Sequence, residues 1–353
     1  MSNTQPQSQP VPETMKALHL TRPSTTSPPT LSFTTLPTPT PKPGFLLIRI
    51  HYSSIQPSDR LNARGSFPKT AFPRIPGRDY AGVVVGTSSS SSSDKIKIGT
   101  EVYGSSGSTL GFTLDGPHAE YCLIPETAVV EKPAPLTLRQ AATVGVPFLT
   151  ALLCLRRARA CVDDVVLVLG ANGAVGSATV QVARAMGCRS VITASRSRGE
   201  DADINLAGES PAGSLRAADI PALLTDGNKK GIDVVVDTVG DIALMGAAMD
   251  QLAIRGRYAW IAAPRGPGAK TDFTFDIFQA YRREIVLVGC NTGNYTVEEI
   301  AEDLRVLKGW FESGELRARA EEEIEEVGLD EAVEEGYWRE GNNKKGPVVI
   351  KMI

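Results

Sequence analysis

Cysteine is scarce and dispersed in this chain. Its five cysteines (Cys122, Cys154, Cys161, Cys188 and Cys290) form no C-x-x-C pair, which argues against a disulfide framework and against a cysteine-built zinc site. Histidine is scarcer still. His19, His51 and His118 stand far apart and pair with no cysteine, so the sequence offers no short-spaced set of metal donors. A basic excess is missing too: 37 Lys and Arg meet 40 Asp and Glu, which removes the electrostatic footprint of a nucleic-acid binder. No apolar run reaches the roughly 18 residues of a membrane span. The opening stretch, MSNTQPQSQPVPET, carries neither an apolar core nor an Arg-rich amphipathic pattern. These absences predict a disordered lead over 1–14, a reduced cytoplasmic setting, and a small-molecule partner rather than nucleic acid or membrane.

A chain of 353 residues is long for one hydrophobic core, and its pattern changes partway along. From Met15 to about 137 it is β-rich, with MKALHL, FLLIRIHY and YAGVVVG as short strands between Pro, Gly and Ser stretches. The run SSSSSS at 88–93 reads as a loop insertion. From 138 to 309, continuous apolar strands (DVVLVLG, VITAS, GIDVVVDTVG, RYAWIAA, EIVLVGC) alternate with helices such as AVGSATVQVARAMG, IPALLTDG and ALMGAAMDQLAI. Such alternation predicts an α/β fold with a parallel sheet covered on both faces. The closing KGPVVIKMI is a strand that returns to the first domain, so residues 310–353 complete it. The acidic EEEIEE at 321–326 and the EEGYWRE after it read as a solvated helical face.

The strand VVLVLG runs into GANGAVG and then a helix. Gly170, Gly173 and Gly176 permit a tight turn, a close backbone approach to a pyrophosphate, and packing of the helix on the strand. The helix N-terminus adds unpaired N–H groups and a positive dipole end, so Asn172, Gly173, Ala174 and Val175 join the candidate cradle. About 20 residues on, the second strand ends in ASRSRGED. NAD-binding versions place an Asp or Glu at that point for the ribose 2′-hydroxyl. Ser195, Arg196, Ser197 and Arg198 stand there instead, and no acid comes before Glu200. Hydroxyls and guanidinium groups suit a 2′-phosphate, which favours NADPH; the other reading is a polar loop whose arginines face water.

With these motifs in order, the chain resembles the medium-chain dehydrogenase/reductase superfamily, in its zinc-independent quinone oxidoreductase-like branch. The resemblance runs from Met15 to Ile353. It is carried by QPSD (56–59), FPRIPGRDYAGVV (72–84), KIGTEVYG (97–104), GPHAEYCLIP (116–125), AATVGVPFLTA (141–151), the glycine loop, GIDVVVDTVG and RGRYAWIA. It implies a GroES-like β-barrel domain plus a Rossmann domain with a doubly wound parallel sheet, with substrate and nicotinamide in the cleft between them. It also places Gln56 and Thr150 beside the nicotinamide and Val239 among the cofactor contacts. The residues alone equally allow Thr150 a plain intrahelical bond. Zinc-dependent members carry a Cys near Ile55 and Gln56 and a Gly-His-Glu where this chain has Gly77, Arg78 and Asp79, so no metal is expected.

Two departures stand out. Enoyl-thioester reductases of the branch carry a Tyr in a G-x-Y turn, where this chain has Gly65, Ser66 and Phe67; Tyr52 or Tyr80 is the available substitute. About ten residues are missing after Arg198, where relatives have a helix and a Lys that touches the 2′-phosphate. Asp59 and Arg60 read either as a cleft ion pair or as a packing pair. The expected function is an NADPH-dependent, zinc-free oxidoreductase that transfers a hydride to a quinone or an α,β-unsaturated carbonyl. An enoyl reductase in polyketide or fatty-acid type biosynthesis is the alternative, and a non-catalytic cofactor-binding protein the second. A homodimer through the strand EIVLVGC is expected from the resemblance.

Overall fold

A computed structural model describes residues 10–88, 96–196, 202–208, 210–218, 231–266, 268–339 and 346–352. It divides into two units, Met1–Val146 with Thr292–Ile353, and Pro147–Asn291. In the first unit, β1 (Thr14–Thr21) and β2 (Thr30–Pro37) form an antiparallel pair. The long β3 (Phe45–Ser54) leads into helix α1 (Pro57–Ala63). Then come β4 (Asp79–Thr87), β5 (Glu101–Gly104), β6 (Tyr121–Pro125), β7 (Val130–Glu131) and helix α2 (Leu138–Ala141). β3 is the spine, pairing antiparallel with both β4 and β6. Its Leu46, Ile48 and Ile50 enter a core with Leu18, Leu20, Tyr80, Val84 and Val102. Helix α1 starts where it does because Pro57 fits the first helical position and the Asp59 carboxylate accepts from the Gln56 N–H.

The second unit opens with α3 (Gly145–Arg157), whose first residues still belong to the first unit. It continues through β8 (Val165–Leu169), α4 (Ala174–Ala185), β9 (Ser190–Ser195), β10 (Ile204–Asn205) and α5 (Pro211–Ala217). After these come β11 (Ile232–Asp237), α6 (Ile242–Asp250), β12 (Leu252–Trp260), α7 (Ile277–Arg282) and β13 (Val286–Gly289). The six strands are parallel in the order β10-β9-β8-β11-β12-β13. Every residue of VVLVL and IDVVVD is buried, as a sheet covered on both faces requires. Strand order reverses between β8 and β11, the switch point at which such sheets bind ligands. The α/β architecture with a β domain and a doubly wound sheet is therefore as expected.

The chain then returns to the first unit through α8 (Val297–Glu312), β14 (Glu325–Gly328) and β15 (Val348–Lys351). β15 pairs antiparallel with β3 and parallel with β14.

Several details differ from the sequence reading. The unit boundaries fall at 146/147 and 291/292 rather than near 137/138 and 309. Helix α2 packs on β3, β4 and β5, and the Tyr103 hydroxyl donates to the Leu304 carbonyl of α8 at 2.7 Å, so both helices belong with the β sheet. The acidic EEEIEE is a single 3-10 turn followed by β14, and Gly336 and Tyr337 beyond it are buried. Residues 252–254 open β12 instead of closing a helix. Two residues expected in the lead are part of the fold: Thr14 begins β1 and the Glu13 carbonyl accepts from Thr38 N–H. Residues 89–93 of the serine run and all of IPALLTDG lie outside the described residues.

Candidate active site

In the first unit, a polar group gathers where β3 meets α1 and β4 begins. Gln56 is buried, and its Nε2 donates to Ser54 Oγ and to Asp79 Oδ2, each at 2.9 Å. Asp79 Oδ2 also accepts from the Val146 N–H at 2.8 Å. Burial raises the Asp79 carboxyl above its ordinary range, against hydrogen bonds from Ser105, Val146 and Gln56 and the charge of Arg78. Asp59 Oδ2 accepts the Gln56 N–H at 2.7 Å. Burial pushes Asp59 up to about 7, with Arg78 and that backbone bond pulling the other way.

Arg78 lies in the middle of this group and is only 6% exposed. Its Nε donates to Ser106 Oγ at 2.7 Å, Nη1 to Ser58 Oγ at 2.9 Å, and Nη2 to Thr292 Oγ1 at 3.2 Å. The guanidinium stands 5.8 Å from the Phe112 ring centroid. The same ring has Lys69 Nζ at 4.5 Å, and that ammonium donates to the Gly293 carbonyl at 2.6 Å. Nearby, His118 bonds Tyr337 Oη through Nδ1 at 2.8 Å and the Ser54 carbonyl through Nε2 at 3.2 Å. Burial pushes the imidazole down to about 4, so it is neutral at pH 7.

A metal ion does not fit this donor set. An amide whose N–H groups are spent and a cationic guanidinium occupy the positions that hold metal ligands in zinc-dependent members. Among the described residues no group of three or more His, Cys, Asp or Glu side chains could hold a metal.

The remaining candidates of this unit separate. Tyr52 has Glu326, Lys351, Arg139 and Glu321 as its leading charged neighbours, not the Gln56 group. Tyr80 is enclosed in the core, its ring seated where a Cβ on Gly104 would stand, and burial raises its phenol far above the ordinary value. It is therefore no substitute donor. Arg60 donates to the Gly336 carbonyl at 2.7 Å and not to Asp59. Phe67 packs on Phe112, ring centroids 5.3 Å apart.

In the second unit the glycine loop joins β8 to α4. Gly170 has φ +81°, and a Cβ at Gly176 would meet the Gly170 carbonyl oxygen at 2.0 Å, so the helix can start this close to the strand only with glycine there. Asn172, Gly173 and Ala174 are exposed and Val175 is half-buried. The N-cap is Gly173, with no side chain to occupy the first-turn N–H groups of α4. A Cβ at Gly170 would touch Thr238 and Val239, so Val239 borders the loop. The end of β11 is fixed by Asp237, whose Oδ1 accepts from Val239 and Gly240 N–H (2.8 and 3.1 Å) and whose Oδ2 accepts from Tyr258 Oη (2.9 Å). Thr150 is buried on α3.

β9 ends at Ser195, which is buried, and Arg196 after it is exposed. Ser197 and Arg198 lie outside the described residues. Ile204 and Asn205 pair in parallel with Ala194 and Ser195, so only residues 196–203 connect the two strands, where a parallel crossover ordinarily takes a dozen or more. The acid in that stretch nearest β10, Asp203, is engaged with the N–H and hydroxyl of Thr193 at 2.7 and 2.8 Å.

Two features escaped the sequence reading. The Asp237–Tyr258 bond joins residues 21 positions apart, and no local pattern announces it. The Arg78 cluster had a signal, an arginine and an aspartate side by side at the head of the apolar run YAGVV, but its hydroxyl partners come from distant segments.

Two family profiles match the chain: an alcohol dehydrogenase GroES-like domain over residues 42–134 and a zinc-binding dehydrogenase over 174–308. A zinc-type alcohol dehydrogenase-like protein of Schizosaccharomyces pombe is 41% identical over 90% of this chain and 91% of its own length. The quinone oxidoreductase of Sus scrofa is 32% identical over 65% of this chain and 67% of its own. An alcohol dehydrogenase superfamily protein from Novosphingobium aromaticivorans superposes with a TM-score of 0.76 at 25% identity, covering 96% of this chain and 100% of that one. With both halves of the fold matched and a relative alike along nearly its whole length, the chain belongs to the medium-chain dehydrogenase/reductase superfamily of oxidoreductases and is quinone oxidoreductase-like.

Proposed function

We propose that this oxidoreductase uses NADPH, works without zinc, and passes a hydride to a quinone or an α,β-unsaturated carbonyl compound. The observation that carries the reading is the Gln56–Asp79–Arg78 group, which takes the place of metal donors. Without a Lewis acid, the easier acceptor is one whose conjugation spreads the incoming charge onto an oxygen that hydrogen bonds can stabilise. When bound, the nicotinamide supplies the hydride. The glycine loop and the open first turn of α4 hold the pyrophosphate. Ser195 and Arg196, followed in sequence by Ser197 and Arg198, take the 2′-phosphate, and the commitment of Asp203 to Thr193 supports that choice over a ribose-binding acid. Gln56, anchored on Asp79, and Thr150 position the reacting groups. An NADPH-oxidation screen over quinones, enones and enoyl thioesters, with NADH as control, tests this. Turnover of quinones or enones with NADPH is expected; turnover of thioesters alone moves the reading to enoyl reduction, and NADH preference removes the NADPH assignment.

The same proposal includes a homodimer built on β13. That strand ends the sheet order, and beside it Phe275, Ile277, Phe278, Tyr281 and Val286 are exposed, Ile277 at 71%. An open strand edge flanked by apolar side chains suits pairing with a second copy.

A further inference from the structure

We infer that Arg78 is a catalytic residue that binds the acceptor's carbonyl oxygen and stabilises it as it becomes an oxyanion. The inference rests on the hydride-acceptor reading above. Its basis is the way this guanidinium is held. A buried arginine is ordinarily neutralised by a carboxylate in a forked pair. Here all three hydrogen bonds go to hydroxyls, those of Ser58, Ser106 and Thr292. Three chain segments far apart in sequence supply them, so the group is fixed in orientation while its charge stays available. Guanidinium carries five N–H groups. These three bonds leave one on each terminal nitrogen for an incoming acceptor.

The neighbouring acids do not cancel this charge through a bond. Asp79 Oδ2 accepts from Gln56 Nε2 and the Val146 N–H, and Asp59 Oδ2 from the Gln56 N–H, whereas the Arg78 bonds go to hydroxyls. Asp59 is moreover raised by burial to about 7, so part of its population is uncharged at neutral pH. Phe112 closes one side with its ring, and Lys69 adds a second cation at that ring. The site is thus a preoriented positive group in a water-poor setting, the arrangement that stabilises developing negative charge most strongly.

The chemistry balances without a metal. The acceptor's β-carbon gains the hydride and its electron pair. The carbon–carbon π pair shifts toward the carbonyl carbon, and the carbonyl π pair moves onto oxygen to give an enolate. Arg78 holds that oxygen, and a solvent proton then adds to the α-carbon. For a quinone the same addition gives a ring enolate: its oxyanion takes a proton, and the ring carbon that received the hydride gives up one hydrogen as a proton while the second carbonyl oxygen gains one, leaving the hydroquinone.

A phenol probe reads the site without turnover. 4-Nitrophenol titrated into the NADPH-loaded wild-type protein, below the pH at which the free phenol ionises, is expected to show the phenolate absorbance band. Arg78→Met removes the band and lowers kcat about a hundredfold, with NADPH affinity unchanged by fluorescence titration. Arg78→Lys, which keeps the charge but loses the fork, falls between. Wild-type protein that binds the phenol in its neutral form or not at all overturns the inference, as does Arg78→Met with kcat within threefold of wild type. Turnover that ignores Arg78 sinks this role and leaves the proposed function standing. A phenolate band in a protein that oxidises NADPH with no acceptor does the reverse.

Discussion

Arg196 is exposed directly after the buried Ser195, and a 2′-phosphate is the one group by which NADPH differs from NADH at that point. Charge-assisted hydrogen bonds of this kind contribute about 1.5–3 kcal/mol. Arg196→Ala is therefore expected to weaken NADPH binding by roughly tenfold to a hundredfold and to leave NADH binding within a factor of two or so; fluorescence titration with both cofactors checks it. Equal losses would make the segment a polar loop. Asp59 gives a second residue-level expectation. Burial raises its carboxyl to about 7 from an ordinary 3.8, so the folded protein keeps a proton that the unfolded chain has released. Stability from this group is full below about pH 4 and is lost as pH rises to about 7. Asp59→Asn keeps an acceptor for the Gln56 N–H and removes the ionisation. Its Tm relative to wild type should climb steadily across that range. His118, pushed down to about 4 from 6.5, has the opposite sign: its contribution is full above 6.5 and fades as pH falls. In the Asp59→Asn protein that rise with pH stands uncovered.

At the scale of elements, the glycine loop makes a graded test. A Cβ at Gly176 meets the Gly170 carbonyl oxygen at 2.0 Å, whereas one at Gly173 comes to 3.2 Å of the same atom. Gly176→Ala must push α4 off β8, costing about 1–3 kcal/mol and at least tenfold in dinucleotide affinity. Gly173→Ala should be several times milder in both. Urea unfolding and cofactor titration measure the pair, and an equal effect of the two would contradict the close-approach argument. This loop was legible in the sequence because strand, glycines and helix are contiguous and each has a local pattern. The same held for β3, β4, β8, β9 and β11, whose apolar runs need no distant partner to be read. Arg78 was not legible, because Ser106 and Thr292 reach it only through the fold. Nor was β14: EEEIEE is acidic enough to look solvated, and only pairing of its end with β15 makes a strand of it.

For the whole molecule, association through β13 predicts twice the chain mass in light scattering. Phe278→Glu with Tyr281→Glu, placed on the exposed face of α7, should return the monomer mass with the far-UV spectrum intact. A monomeric wild-type protein would end that proposal. The insertion of the second unit within the first also sets an order of events. β3 lies early in the chain, but its neighbour β15 is Val348–Lys351, near the other end. During synthesis at about 5–20 residues per second, roughly ten to forty seconds pass between the start of the second unit and the emergence of β15. The second unit, being continuous, can be finished while β3 still shows an unpaired edge to its surroundings. An early strand is thus among the last to be sealed, and β15 decides whether that edge of a nascent chain closes on itself or on a neighbour.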